Sequence, residues 1–162
     1  MIINLSNKHF LVTGGSRGIG KSIVSQLLKS GASVSFTYHR GIEKANSVFK
    51  EFESLYPGKV AYYQSDIKDE EQSRNLISEI EKSKLGSLDG LINNAGITAD
   101  SPFFSMTTDM WNDVMNTNLT GTFFLTKSVI KSFYKEEKFK NNKPFFGFRS
   151  SRCLRPSELW FL

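Results

Sequence analysis

The chain has 162 residues, 39% of them hydrophobic and 23% charged, enough for one domain with a real core and too apolar for a disordered chain. No apolar run is long enough to span a bilayer. The net charge of +5 is lopsided, with 12 basic and 13 acidic residues in 1–126 but nine and three in 127–162, so the distributed basic face of a nucleic-acid binder is not expected.

The opening "MIINLSNKHFLVTGG" has no basic n-region and no small-residue cleavage pattern, and it reads as mature sequence. The single Cys153 cannot form an internal disulfide, which points to a reducing, cytoplasmic setting. "KHFLVT" (8–13) reads as a strand that runs straight into glycines. Residues 18–30 place Ile19, Ile23, Val24, Leu27 and Leu28 on one helical stripe, and Gly31 follows as a stop. "ASVSFTY" is a second strand, with Val34, Phe36 and Tyr38 alternating. "IEKANSVFKEFESLY" is a second amphipathic helix, closed by the Pro57-Gly58 turn.

"KVAYYQSD" is a third strand. Asp69, with Gln72 three residues on, forms a capping box for a helix over 70–84. "SLDGLINNAG" is a fourth strand, broken at Gly96. Residues 107–135 read as one long helix carrying Trp111, Val114, Met115, Leu119, Phe123, Val129, Ile130 and Phe133. Asn116, Asn118 and Gly121 are poor helix formers and predict a distortion within it. Strands separated by helices of this length imply right-handed crossovers and a parallel sheet covered on both faces. The expected fold is therefore α/β: a doubly wound parallel sheet of about four strands, built by residues 1–135. Residues 136–162 form an aberrant basic tail, expected to be poorly ordered.

Such folds bind ligands beyond the C-terminal ends of their strands, where the strand order reverses. The first strand ends in "TGGSRGIG" (Thr13–Gly20). A strand-to-helix turn leaves backbone N–H groups and the positive end of the helix dipole facing an anion. Gly14, Gly18 and Gly20 stand where backbone must approach closely or take positive φ. Their G-x-x-x-G-x-G spacing differs from the common G-x-G-x-x-G, and a tight turn with no ligand is the plainer alternative. The second strand ends in His39, Arg40 and Gly41, without the acid that would bond an NAD ribose. Arg17 and Arg40 could together hold a 2′-phosphate, which favours NADP(H). The third strand ends in Ser65, Asp66 and Ile67, able to meet an adenine edge. The fourth ends in Asn93 and Asn94, which read either as turn formers or as amides that bond a ribose or tie neighbouring strands. No metal site is expected.

T-G-x-x-x-G-x-G after the first strand, Asp66 after the third and N-N-A-G after the fourth resemble the short-chain dehydrogenase/reductase family. "ITADSPFFSMTTDMWNDVMNTNLTGTFFLTKSV" is similar to the 3-oxoacyl-[acyl-carrier-protein] reductases and acetoacetyl-CoA reductases within it. The likeness runs from about Lys8 to about Phe133. It implies a Rossmann-like fold, incomplete here, with residues 1–135 as its NADP(H)-binding half, and hydride transfer from NADPH to a 3-oxoacyl thioester. It makes Thr13 a loop-stabilising residue and gives cofactor contacts to Gly14, Ser16, Arg17, Gly18, Ile19 and Gly20. It places the adenosine ribose or its phosphate at His39 and Arg40, adenine at Asp66 and Ile67, and a ribose along Asn94, Ala95 and Gly96. Asn118 matches an Asn that kinks the fourth helix and holds a proton-relay water.

The family also needs a Ser and a Tyr-x-x-x-Lys beyond the fourth helix, where the lysine helps a phenol act as acid. Here no tyrosine follows Tyr134 and no lysine follows Lys143. Tyr134 and Lys138 have the spacing but fall at the end of the fourth helix, before any fifth strand. Ser150 or Ser151 lies near the family serine's place without a partner. Ser151 onward, put into permitted codons and shifted by one base, can read Val-Ala-Ala-Leu-Asp-Pro-Val-Asn-Phe-Gly. That run resembles the loop after the family's catalytic serine, so a frameshift that replaced the catalytic half is expected. Family members are usually tetramers built partly through a fifth helix that is missing here, which puts such an assembly in question. A non-catalytic nucleotide-binding subunit that pairs with a full-length paralogue, and a polyanion-binding module using the basic end, are the alternative readings.

Overall fold

A computed structural model of the protein describes residues 4–135, together with the backbone of 145–148 and 153–154. The elements alternate as the sequence predicts. They are β1 (His9–Val12), α1 (Gly18–Lys29), β2 (Ser33–Tyr38), α2 (Ile42–Leu55), β3 (Val60–Gln64), α3 (Glu70–Glu81) and β4 (Gly90–Asn93). After a 3₁₀ turn at Phe103–Ser105 come α4 (Thr108–Met115), a π-helical turn (Asn116–Gly121), α5 (Thr122–Lys135), β5 (Phe145–Phe148) and β6 (Cys153–Leu154). The sheet order is β3-β2-β1-β4-β5-β6. It is parallel from β3 through β5, and only β6 runs antiparallel, against β5. The sheet thus extends two strands past the four read from the sequence. The call of a poorly ordered 136–162 tail falls mostly outside the described residues.

β1 lies at the middle of this sheet, and its successive side chains point to opposite faces. Leu11 packs with Ile77, Ile80, Leu91, Leu125, Val129 and Phe133 under α3 and α5. Val12 packs with Val24, Leu28, Val34, Phe36, Val48 and Phe52 under α1 and α2. Val34, Phe36 and Tyr38 alternate onto that second face as expected. On α1 the buried ridge is Gly20, Val24 and Leu28. Ile23 and Leu27 pack only at its edge, and Ile19 is exposed. The predicted stripe was therefore too wide by one row.

The long helix over 107–135 is present with the predicted distortion inside it. A π-helical turn inserts one extra residue and moves every later side chain by about 100° around the axis. After it Leu125, Val129 and Phe133 line the core, while Trp111, Leu119 and Phe123 are exposed. Gly121 closes the turn against the loop after β3. A Cβ there would lie 2.8 Å from the carbonyl oxygen of Ile67, and backbone on both sides leaves it little room to yield. Gly121→Ala is therefore expected to destabilise the fold by about 1–3 kcal/mol, read as a lower urea midpoint with unchanged slope.

The predicted cap of α3 forms with one change. The Asp69 carboxylate accepts the amide protons of Glu71 and Gln72 at 2.8 and 3.1 Å. The Gln72 side chain donates back to Asp69 and accepts from the amide of Asp66 instead of that of the capping residue. The Gln72 amide, then the Gln72 side chain, hold the Asp69 carboxyl below its ordinary pKa against the opposing effect of burial, with smaller help from the Glu71 amide and Arg74. A depressed native pKa adds stability above the unfolded value of about 3.9 and loses it as pH falls through the native one. Asp69→Asn is thus expected to melt below the parent at pH 7, with the gap closing as the solution is taken down through that acid range.

Candidate functional site: the C-terminal edge of the sheet

The strand order reverses between β1 and β4. From β1 the chain winds outward through β2 and β3, then returns to the other side of β1 as β4. The helices that follow β1 and β4 leave toward opposite faces, so the two connecting loops diverge and open a crevice at the strand ends. The glycine loop and the N-N-A-G segment form its two walls.

One side chain joins these walls. The buried Thr13 hydroxyl accepts the amide protons of both Asn94 and Ala95 at 2.9 Å. Asn94 returns the contact, its side-chain Nδ2 donating to the carbonyls of Thr13 at 2.9 Å and Gly14 at 3.3 Å. Asn93 is likewise turned inward, donating to the Thr126 hydroxyl at 3.1 Å. The Asn94 side chain thus ties the ends of neighbouring strands, and that of Asn93 ties β4 to α5. The glycine loop is also tied to β2: the Gly14 amide donates to the Thr37 hydroxyl and the Gly15 amide to the Thr37 carbonyl.

The loop itself is built for a close anion. Gly14 and Gly18 have φ of +67° and +52°, and a Cβ at Gly18 would meet nothing within 4 Å. The left-handed backbone and the empty space beside it are features a phosphate can use. Gly20 serves a different end: a Cβ there would fall 2.2 Å from the Gly14 carbonyl oxygen, so its absence lets α1 start hard against the loop. No side chain caps α1 and no acid lies in its first turn, which leaves its first amides facing outward. Ser16 is half-buried, while Arg17, Gly18 and Ile19 form the exposed rim.

The far end of the crevice lies over β2 and β3. His39 and Arg40 are exposed at the end of β2. His39 Nε2 stands 3.6 Å from the Asp66 carboxylate, and the Gln64 side chain donates to the His39 carbonyl at 3.2 Å. The other Asp66 oxygen accepts the Lys68 amide at 3.0 Å. Ile67 sends its side chain into the core beneath α5. On the opposite wall, Ala95 is half-buried and Gly96 exposed. The Asn118 side chain grips Ile97 from both sides, accepting its amide proton and donating to its carbonyl, each at 2.9 Å. The Asn118 carbonyl accepts the Thr122 hydroxyl at 2.8 Å.

Sequence reasoning missed Thr37 and Gln64, which touch the site only by positioning others, and foresaw Gln72 in the cap of α3 but not its bond to the Asp66 amide. Thr37 and Gln64 each sit on a strand one position from its last residue or at it, a weak signal for such a role. Among the described residues no group of His, Cys, Asp and Glu could hold a metal ion, and no helix is long and apolar enough to cross a membrane.

A parallel sheet with an open glycine loop at its switch point and an uncapped helix behind it defines a Rossmann-type nucleotide-binding domain. Residues 8–139 match the model of the short chain dehydrogenases, and the chain belongs to that family. It is 42% identical over 116 residues to the 3-oxoacyl-[acyl-carrier-protein] reductase FabG of Staphylococcus aureus (strain Mu50 / ATCC 700699), covering 72% of this chain and 46% of that one. It is 44% identical over 119 residues to an acetoacetyl-CoA reductase of Shinella zoogloeoides, covering 74% and 46%. A crystal structure of a short chain dehydrogenase from Burkholderia cenocepacia J2315 in complex with NADP superposes with a TM-score of 0.74 at 33% identity, over 79% of this chain and 51% of that one. The chain spans about half the length of the relatives it matches.

Thr13→Val keeps the shape and removes the oxygen that two amides share. It is expected to destabilise the fold by about 1–3 kcal/mol and to speed hydrogen exchange at Asn94 and Ala95, with Thr13→Ser restoring both.

Proposed function

We propose that the chain binds NADP(H) in this crevice, as the cofactor-holding half of a cytoplasmic reductase of 3-oxoacyl thioesters. The observation that carries the cofactor is the charge at the end of β2. Arg17 and Arg40 are exposed, and among the described residues neither guanidinium pairs with a carboxylate. β2 itself ends without an acid. Two uncommitted planar cations suit a 2′-phosphate, which a carboxylate at that place would repel. Gly14, Gly18 and Ile19, with Ser16, would hold the pyrophosphate on the uncapped start of α1, which Gly20 lets approach the loop. Asp66 and the Ile67 backbone would meet adenine, and Ala95 and Gly96 the nicotinamide ribose. The bound cofactor supplies the hydride.

The thioester substrate is supported by kinship with proteins named for that chemistry. Asn118 would serve the proton path. A carbonyl oxygen has two lone pairs, so the Asn118 carbonyl keeps one for a water beside the Thr122 hydroxyl. The acid itself is missing from these residues. Tyr134 is exposed in the last turn of α5, remote from the strand ends, and no later tyrosine exists in the 162 residues. Without such an acid these residues would bind cofactor with little or no turnover, since a general acid contributes roughly 10²–10⁴-fold.

A second reading is a non-catalytic subunit that pairs with a longer relative. It is favoured by the near-complete exposure of Phe103 and Phe104 and by the exposed Trp111, Leu119 and Phe123. Co-expression with such a relative, followed by co-purification, would separate it from the first.

Fluorescence titration tests the cofactor assignment. NADPH is expected to bind more tightly than NADH. Loss of a charge-assisted contact in Arg40→Ala is expected to weaken NADPH by about 10-fold or more and to leave NADH unchanged. The 162-residue chain is expected to show no NADPH oxidation with acetoacetyl thioesters, and sustained turnover would overturn the part given to the missing tyrosine and lysine.

A further inference from the structure

We propose that His39 makes the cofactor preference of this site depend on pH, by masking the negative charge of Asp66 when the imidazole is protonated. The inference deepens the NADP(H) reading above and rests on it. Asp66 is the one acid in the β3–α3 loop that faces the end of β2, with His39 Nε2 3.6 Å from its carboxylate. Neither partner is swinging freely. Gln64 fixes the His39 backbone to the end of β3. Asp66 is held through its own amide by Gln72 and through its second oxygen by the Lys68 amide. The two side chains are about half and a quarter exposed, so the pair lies at the crevice mouth, reachable by a nucleotide.

The charges around this pair set the sign of the effect. The β3–α3 loop contributes Asp66, Lys68 and Asp69; the Lys68 ammonium is drawn away to Asp113 and the Asp69 carboxylate to the first amides of α3. The glycine loop contributes Arg17, the β2 end Arg40, and the first turn of α2 Glu43 and Lys44. Among the described residues, Asp66 is the carboxylate within ion-pair distance of His39. With a neutral imidazole, Asp66 is an unscreened negative charge beside the place where Arg17 and Arg40 would hold a 2′-phosphate. With an imidazolium, that charge is balanced. Histidine is the side chain whose charge changes between about pH 5 and 8. The chain has one other histidine: His9, buried at the opposite end of β1 and bonded to Gly86 and Ser35. A charge change within a few ångströms in a partly aqueous setting corresponds to about a five-fold change in affinity or more. A nucleotide without the 2′-phosphate has no charge at this point and is indifferent.

The experiment is calorimetric titration of the 162-residue chain with NADP⁺ and with NAD⁺ at pH 6, 7 and 8, both oxidised forms being stable in acid. The parent chain is expected to lose about five-fold or more in NADP⁺ preference over NAD⁺ from pH 6 to pH 8. His39→Gln is expected to lose that slope. It should instead show only the slight gain with pH that follows the second ionisation of a phosphate monoester near pH 6. Asp66→Asn is expected to bind NADP⁺ at pH 8 more tightly relative to NAD⁺ than the parent does. If NADP⁺ binds and His39→Gln keeps the parent's slope, or the parent has none, the His39 proposal fails and the cofactor assignment stands. If neither nucleotide binds at any pH, the cofactor assignment fails and takes the proposal with it.

Discussion

The Thr13 hydroxyl accepts two main-chain amides from the far side of the crevice, and the rest of the site takes its place from that junction. β1 and β4 are neighbours in the sheet, yet their chains must part immediately beyond it, because α1 packs on one face and α5 on the other. Parting strands leave unpaired amides and carbonyls at the fork, and such groups are costly when buried. Thr13 supplies an acceptor for the amides, and the Asn94 side chain supplies a donor for the carbonyls of Thr13 and Gly14. The fork is thus closed by side chains and the walls beyond it are free to hold a ligand. A valine in place of Thr13 would fill the same volume and leave the fork open.

The π-helical turn solves a second problem of reach. One extra residue in the turn changes the phase between α4 and α5, with Leu125, Val129 and Phe133 in the core and Asn118 at the loop after β4. Asn118 then behaves like a piece of strand, pairing with Ile97 through one donor and one acceptor. Gly121 lets the same turn approach the Ile67 carbonyl from the other side. The turn therefore braces two loops, those after β3 and β4, from a single position.

Much of the fold was legible because its signals are local. Val34, Phe36 and Tyr38 show a period of two, Gly20, Val24 and Leu28 a period near four, and Asp69 with Gln72 carries its own cap. What failed was phase and purpose. The sequence marks Asn116, Asn118 and Gly121 as disturbing the helix, but periodicity cannot tell a kink from an added residue. Glycines have one letter and several uses: Gly18 gives an open left-handed bend, Gly20 a close helix approach. Asn94 could be read toward a ribose or toward the strands, and only its buried position beside Thr13 decides which way its side chain turns. The strand at Phe145–Phe148 was missed for another reason. Its "FFGF" has no alternation, as befits an interior parallel strand, and it stands amid lysines and arginines that read as solvated chain.

The overall charge is a poor guide to what the crevice attracts. All of the basic excess lies in residues 127–162, while residues 1–126, which build both walls, are close to neutral. At physiological salt a charge is screened within about 8 Å. The field at the end of β2 is therefore set by the few groups that stand there, Arg17, Arg40, His39 and Asp66. Three of them are cationic or can become so, and the fourth is the acid that an adenine would use. A carboxylate placed to meet the base is, by the same position, close to the phosphate that the arginines would hold. Keeping an acid for adenine without losing the phosphate requires something to screen one from the other, and the imidazole 3.6 Å from Asp66 stands in that place.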